Sequence, residues 1–229
     1  MLDYEVMYGL FGADDGELAG RTLVNLTSGS PEQAQEATRW AAGRGAAYVD
    51  GAIMTTPPGV GSAEVMFLYS GSAEVFAQQL PVLRVLGDPL HLGTEPGAAS
   101  LYDAALLGLM WSTMTGWLHG TALATADAAA GHTAVDFTAV AVRWLGTVAR
   151  FISLYATQVD AGAYPGDDAT VDVQVAAIGH LIHAAEARGI DNALPELLKA
   201  TLERTQAAGH GSDSFASVVE VLRTSGVRR

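Results

Sequence analysis

The stretch Leu90-His-Leu-Gly-Thr-Glu-Pro-Gly-Ala-Ala-Ser-Leu-Tyr-Asp103 is where the chain changes character. Upstream, short apolar runs alternate with helix-like segments. Thr22–Leu26 is a brief apolar run that ends in the turn-rich Thr27-Ser-Gly-Ser-Pro31. A helix follows, with Pro31 near its start and Gly43 and Gly45 past its end. Ala47–Ile53 and Glu64–Tyr69 read as strands, separated by a Pro- and Gly-bearing loop over Met54–Ala63. Ser72–Leu86 reads as a helix and Leu90–Leu92 as a closing strand. That alternation implies an α/β sheet with helices against it. Downstream only helices are expected, over Glu95–Ala130, Ala134–Gln158, Asp168–Arg188, Leu194–Ala208 and Ser214–Thr224. The expected fold is an α/β part over residues 1–93 and an all-α part over 94–229, joined by a long helix.

That long helix is the most informative element. Between Glu95 and Asp127 there is no lysine or arginine, and Asp103 is the lone carboxylate. Ala104–Ala126 is long enough to cross a membrane. However, it carries Ser112, Thr113, Thr115, His119 and Thr121 and has no positive flank, so a buried helix fits better. Ala104, Gly108, Ser112, Gly116 and Gly120 recur every fourth residue and form a small-residue ridge suited to close helix packing, between domains or between subunits. Asp103 in such a helix is either a hydrogen-bonded structural carboxylate or a proton donor. Capping is disfavoured, because Thr94 and Pro96 suggest that the helix starts earlier. Desolvation should raise its pKa, which suits a donor near neutral pH. Trp111 lies about 12 Å farther along the axis on the same broad face, as a core residue or a pocket wall.

Composition narrows the chemistry. The net charge of -13 argues against a nucleic-acid or anionic-membrane partner, both of which need a basic patch. There are no cysteines, so disulfides, thiolate metal sites and thiol nucleophiles are excluded. Met1–Tyr8 carries Asp3 and Glu5 and shows no signal-peptide pattern, so a cytoplasmic location is expected. Gly43-Arg-Gly45, Gly59-Val-Gly61 and Gly209-His-Gly211 are near-misses for a dinucleotide loop. None follows a strand and opens a helix, as a phosphate-cradling G-x-G-x-x-G must. His180, His183 and Glu186 step by three and fan round a helix, which disfavours a metal site. Asp167-Asp168 reads as a helix start.

Four segments carry a resemblance. Leu23-Val-Asn-Leu-Thr-Ser-Gly29, Tyr48-Val-Asp-Gly-Ala-Ile53, Gly97-Ala-Ala-Ser-Leu-Tyr-Asp103 and Ala163-Tyr-Pro-Gly-Asp-Asp168 are similar to segments of the NADPH-dependent imine reductases and reductive aminases. That group resembles the wider β-hydroxyacid dehydrogenase superfamily, which typically has a catalytic lysine where this chain has Asp103. The one lysine here, Lys199, lies far down the helical part and cannot take that role.

The resemblance implies a Rossmann-type NADP-binding domain, a 6-phosphogluconate dehydrogenase-like helical domain, and a homodimer with exchanged helical domains. It implies NADPH as cofactor and an imine, or a carbonyl plus an amine, as substrate. It also assigns roles: Asp103 as the residue acting on the imine nitrogen, and Trp111, Trp144, Gln174 and Met54 beside the substrate. Thr27, Ser28 and Ile53 fall near the nicotinamide. Members of the family begin with a strand, a Gly-rich loop and a helix that have no counterpart here, and Met1-Leu-Asp-Tyr4 aligns with the end of an inner strand. The sequence is therefore expected to be an N-terminally truncated reductase with little activity alone. Two alternatives are a non-catalytic helical dimerisation module or degenerate relative, and a related dehydrogenase acting on carbonyls.

Overall fold

The structure is a computed structural model and describes residues 4–11 and 18–224. The chain forms two compact units, Met1–Trp111 and Ser112–Arg229.

In the first unit, helix α1 (Tyr4–Phe11) precedes strand β1 (Thr22–Asn25), helix α2 (Pro31–Ala42), strands β2 (Ala47–Ile53) and β3 (Met66–Gly71), helix α3 (Ala73–Leu86) and strand β4 (Asp88–His91). The strands lie in the order β1-β2-β3-β4. β1 pairs parallel with β2 and β3 parallel with β4, while β2 and β3 are antiparallel. The parallel pairs follow from the two helical crossovers. The antiparallel pair follows from the Met54–Val65 connection, which contains no long helix and so returns the chain beside itself. This small mixed sheet is the α/β part expected from the sequence.

The local signals behind these elements are legible. Ser30 and Gln33 form a reciprocal capping box ahead of α2, with Pro31 in its first turn. Ala34, Ala37 and Ala41 then bury one stripe of α2 in a cluster with Tyr48, Tyr4 and Met7. On β2, residues Tyr48 to Ala52 are all buried. Its neighbour β3 contributes Phe67, Leu68 and Tyr69, each at most 1% exposed. Phe67 and Tyr69 pack with Val49 and Leu83 of α3, while Leu68 packs with Ala52 and Ala99 on the opposite face. Burying such a side chain contributes about 1.5–3 kcal/mol, so the central strands hold the unit together.

Tyr4 corrects one expectation: it opens helix α1 instead of ending a strand. Its helix lies in the first core cluster, with Tyr8 edge-on to Trp40 at 5.1 Å. Residues 1–3 of the segment aligned with a strand lie outside the described residues.

Helix α4 (Ala98–Ala124) runs from the first unit into the second. It starts three residues later and stops six residues earlier than the Glu95–Ala130 expected from periodicity. Gly97, at φ +87°, turns the chain into the helix, and residues 128–130 form a separate 3-10 turn capped by Asp127. α4 is not a buried helix within the chain. Only Ala99, Ser100 and Asp103 are buried, while Leu109, Trp111, Met114 and Leu118 are about half exposed or more. Of the small-residue ridge, Gly108 and Gly116 face open space and Gly120 lies against Phe137.

The second unit contains helices α5 (Ala134–Ala161), α6 (Val171–Glu186), α7 (Ala193–Thr205) and α8 (Val218–Thr224). Its core is Val171, Leu202 and Val218, with Val175 and Ile178 against them. Thr133 and Asp136 form the capping box of α5, and Gly162 closes that helix in the left-handed conformation. α5 is long and apolar, yet none of its residues is buried. Asp167-Asp168 does not start α6 as the sequence suggested. The cap is Thr170, whose hydroxyl accepts from the Val173 amide, so the helix begins three residues after Asp168.

Candidate active site

The first unit gathers its polar groups where β1 and β2 end. Asn25 lies beside Asp50 in the parallel register, so the loop leaving β1 and the last residues of β2 emerge at one edge. In open α/β sheets this carboxyl edge is where ligands bind. The Asn25 carboxamide shapes the loop: its oxygen accepts from the Thr27 amide at 3.1 Å, and its nitrogen donates to Tyr48 Oη at 3.0 Å. Thr27 is buried and Ser28 is exposed. Ile53 is 37% exposed at the end of β2, and the half-buried Met54 packs toward Ala52, Leu68 and Ala99.

The start of α4 closes this edge. Gly97 has a positive φ, and a Cβ there would stand 2.6 Å from the Pro31 carbonyl oxygen. Only glycine lets α4 approach the start of α2 so closely. Two residues on, the Ala99 amide donates to Ser70 Oγ at 3.0 Å. The Ser100 amide and hydroxyl both donate to Asp50 Oδ2, at 3.0 and 2.9 Å. Tyr4 Oη donates to the other Asp50 oxygen at 3.4 Å.

Asp103 follows Ser100 by three residues and is 5% exposed. Burial raises its carboxyl above the ordinary range, and a hydrogen bond from the Ser28 side chain pulls the other way. Asp50 is also raised, first by burial, against the hydrogen bonds from Ser100 and Tyr4. The two carboxylates differ in what surrounds them. Asp50 has donors on both oxygens, whereas among the described residues the partner of Asp103 is the exposed Ser28 side chain. A buried carboxyl with a raised pKa and one hydroxyl partner can hold a proton and release it to a base.

In the second unit, Trp144 and Gln174 line one cavity of about 700 Å³. Its wall is an aromatic ladder. Trp144 meets Phe151 edge-on, Phe151 stacks on Tyr155, and Tyr155 stacks on Phe215, each pair at 6.4 Å between ring centres. Asp168 is the one charged residue in the lining, and its charge adds to burial in raising the Tyr155 phenol.

The sequence-derived residues thus fall into two groups. Thr27, Ser28, Ile53, Met54 and Asp103 belong to the first unit, with Ser28 and Asp103 in contact. Trp111 stands 60% exposed on α4, eight residues beyond Asp103. Trp144 and Gln174 share the cavity of the second unit. Sequence reasoning missed Asp50, Ser100, Tyr155 and Phe215. Asp50 had a signal: it is a lone carboxylate in the apolar run Tyr48–Ile53. His180, His183 and Glu186 are exposed on α6, and no group of three metal-type donors occurs among the described residues.

Comparison with known proteins gives these arrangements a family. A family model described as NADPH-dependent reductive aminase-like, C-terminal domain, matches residues 95–224. An NADPH-dependent reductive aminase of Aspergillus oryzae is 33% identical over 207 residues, covering 90% of this chain and 70% of that protein. The imine reductase structure from Bacillus cereus superposes with a TM-score of 0.90 at 34% identity, over 98% of this chain and 78% of the other. A reductive aminase from Aspergillus terreus, in complex with NADPH4, cyclohexanone and allyl amine, gives 0.88 at 33% identity, over 97% and 77%. Likeness at this level of identity, over nearly the whole chain and including the Asp103 helix, places the chain in the family of NADPH-dependent reductive aminases and imine reductases.

Proposed function

We propose that this chain reduces C=N bonds to amines with NADPH, and that Asp103 supplies the proton at nitrogen. The observation that carries the reading is the buried Asp103 carboxyl, raised in pKa and held beside the Ser28 hydroxyl at the carboxyl edge of the sheet. The substrates are small imines, or a carbonyl compound together with an amine.

NADPH is the cofactor of the relatives, and the residues at the sheet edge suit its nicotinamide end. Ser28 offers an exposed hydroxyl beside the buried Thr27, and Ile53 offers an apolar surface to the ring. When bound, the cofactor supplies hydride to the carbon of the C=N bond. Asp103 holds the proton for nitrogen, and its carboxylate is then reprotonated from solvent. For an iminium, which is already cationic, the same carboxylate in ionised form would stabilise the charge. The raised pKa favours the donor role. Met54, Trp111, Trp144 and Gln174 are assigned to the substrate: the aromatic and apolar groups to exclude water, and the Gln174 carboxamide to orient polar groups. The 229 residues contain no G-x-G-x-x-G loop to cradle the pyrophosphate. We therefore expect these residues by themselves to bind NADPH weakly and turn over slowly, and tight binding with rapid turnover would refute that expectation.

The half-exposed apolar faces of α4 and α5 support a homodimer in which helical units are exchanged, each α/β unit working with helices of the other copy. α5 is also long and apolar enough to cross a membrane by composition. Arg143 and Arg150 stand near its middle, and each would cost about 2.5–3.5 kcal/mol at a bilayer centre, which favours a protein partner. A cytoplasmic location accords with this reading.

The test is NADPH consumption with a cyclic imine, and with cyclohexanone plus allyl amine, by the chain and by Asp103→Asn. We expect Asp103→Asn to lose roughly 10²–10⁴-fold in turnover. The chain itself should lose rate as pH rises through the raised Asp103 pKa, because the protonated form is the active one. Undiminished turnover by Asp103→Asn would sink the assignment.

A further inference from the structure

The helix that carries Asp103 is capped from the sheet rather than by its own sequence. Its first amide, Ala98, donates to the Glu95 carbonyl at 3.2 Å. The next two amides would have no partner within the helix. Ala99 takes Ser70 Oγ of β3, and Ser100 takes the Asp50 carboxylate of β2. Both acceptors are buried, Ser70 at 0% and Asp50 at 1% exposure. A carboxyl oxygen that accepts at a helix N-terminus also meets the positive end of the helix dipole. Ser100 adds its hydroxyl to the same oxygen, so one residue of α4 is held at two points. Residues three apart on a helix are neighbours on its surface, which ties the Ser100 anchor to the Asp103 side chain.

We propose that Asp50 is a positioning residue for the reaction: through Ser100 it fixes the first turn of α4 on the sheet and so sets where Asp103 stands beside Ser28. The proposal rests on the reading of Asp103 as proton donor, because otherwise there is nothing to position. An ordinary packing role would be met by any well-fitting side chain. A positioning role requires an acceptor for both Ser100 donors. Asn retains one, since its carboxamide oxygen can face Ser100 while its nitrogen faces Tyr4 Oη. Ala retains none.

The titration of the Asp103 carboxyl carbon, followed by NMR in the full chain, tests this without relying on turnover. Burial and the Ser28 hydroxyl are the influences on Asp103, and both depend on the placement of α4. In the unaltered chain and in Asp50→Asn, Asp103 should titrate above the ordinary Asp range. In Asp50→Ala the first turn opens, water reaches Asp103, and its titration falls back toward that range. Amide exchange at residues 98–103 should rise at least about tenfold while β2 and β3 stay protected. A folded Asp50→Ala chain with unchanged Asp103 titration and unchanged exchange would overturn the proposal. If Asp50→Ala fails to fold, Ser100→Ala, which removes one of the two donors, should shift both readouts in the same direction, and no shift there would overturn it equally. Turnover of Asp103→Asn separates the two ideas. Retained turnover sinks the donor reading and the positioning role with it. Lost turnover with an unmoved titration in the Asp50 and Ser100 variants sinks positioning alone.

Discussion

Gly97→Ala probes a close backbone approach in the first unit. The residue has φ +87°, a conformation that L side chains rarely adopt, and a Cβ there would stand 2.6 Å from the Pro31 carbonyl oxygen and 3.2 Å from two further Pro31 backbone atoms. The conformation alone costs on the order of 1–3 kcal/mol. The neighbour is backbone at the first turn of α2, just after its Ser30 cap, so it cannot rotate away as a side chain would. Forced overpacking adds about 1–3 kcal/mol. The sum is on the order of 2–6 kcal/mol. For a chain of this size each kcal/mol moves Tm by about 2–4 °C, so a fall of roughly 4 to 24 °C in the transition is expected. Calorimetry on the full chain would measure it, with far-UV circular dichroism to confirm that the helices persist. Because Gly97 sets the entry of α4, turnover should also fall at temperatures where the variant is folded. A Tm within 1–2 °C of the parent would refute the argument that this contact fixes the helix start.

Three further outcomes follow from the same geometry. Asp50 has a raised pKa in the folded chain, so its contribution to stability is fully present below the unfolded value near 3.9 and is lost as pH rises through the folded value. Asp50→Asn lacks this titration; the stability of the parent minus that of the variant, measured by urea unfolding, should therefore fall as pH rises through the folded Asp50 value. Trp144→Ala removes one end of the aromatic ladder, and the KM for a cyclic imine should rise roughly three- to tenfold with a smaller change in kcat. Leu109→Glu places a charge on the half-exposed apolar face of α4; sedimentation should show a parent dimer shifted toward monomer with helix content unchanged, and an unshifted monomer in the parent would count against the dimer.

The elements most legible in the sequence were those whose local chemistry and packing agree. α2 announced itself through Pro31 at its start and Gly43 and Gly45 beyond its end, and β2 through the run Ala47–Ile53. α4 was misjudged at both ends for opposite reasons. Its start is set by a glycine whose conformation depends on Pro31, 66 positions away and invisible to periodicity. Its end is set by Asp127 capping a separate turn, which Ala128-Ala-Ala130 disguises as helix. Its burial was inferred from composition and from the small-residue ridge, and neither says whether the covering surface belongs to the same chain.

Two lone carboxylates in apolar segments invited the same inference, yet only Asp103 drew it. Asp103 stood out because no other carboxylate, lysine or arginine lies between Glu95 and Asp127. Asp50 was hidden in a strand short enough that one polar residue reads as an ordinary alternation. The structure separates them by their partners. Asp50 is held by donors from two other elements, Tyr4 of α1 and Ser100 of α4, and is already committed to them, which is how a buried carboxylate serves a fold. Asp103 has the Ser28 hydroxyl and a position at the sheet edge, which under the proposed reading leaves capacity for a substrate nitrogen. The distinction is one of remaining hydrogen-bond capacity, and it lies in contacts between residues 46 and 75 positions apart, Tyr4 with Asp50 and Ser28 with Asp103. Asp50, with its partners in place, caps the helix, and Asp103, one turn beyond Ser100, is the acid proposed to give a proton.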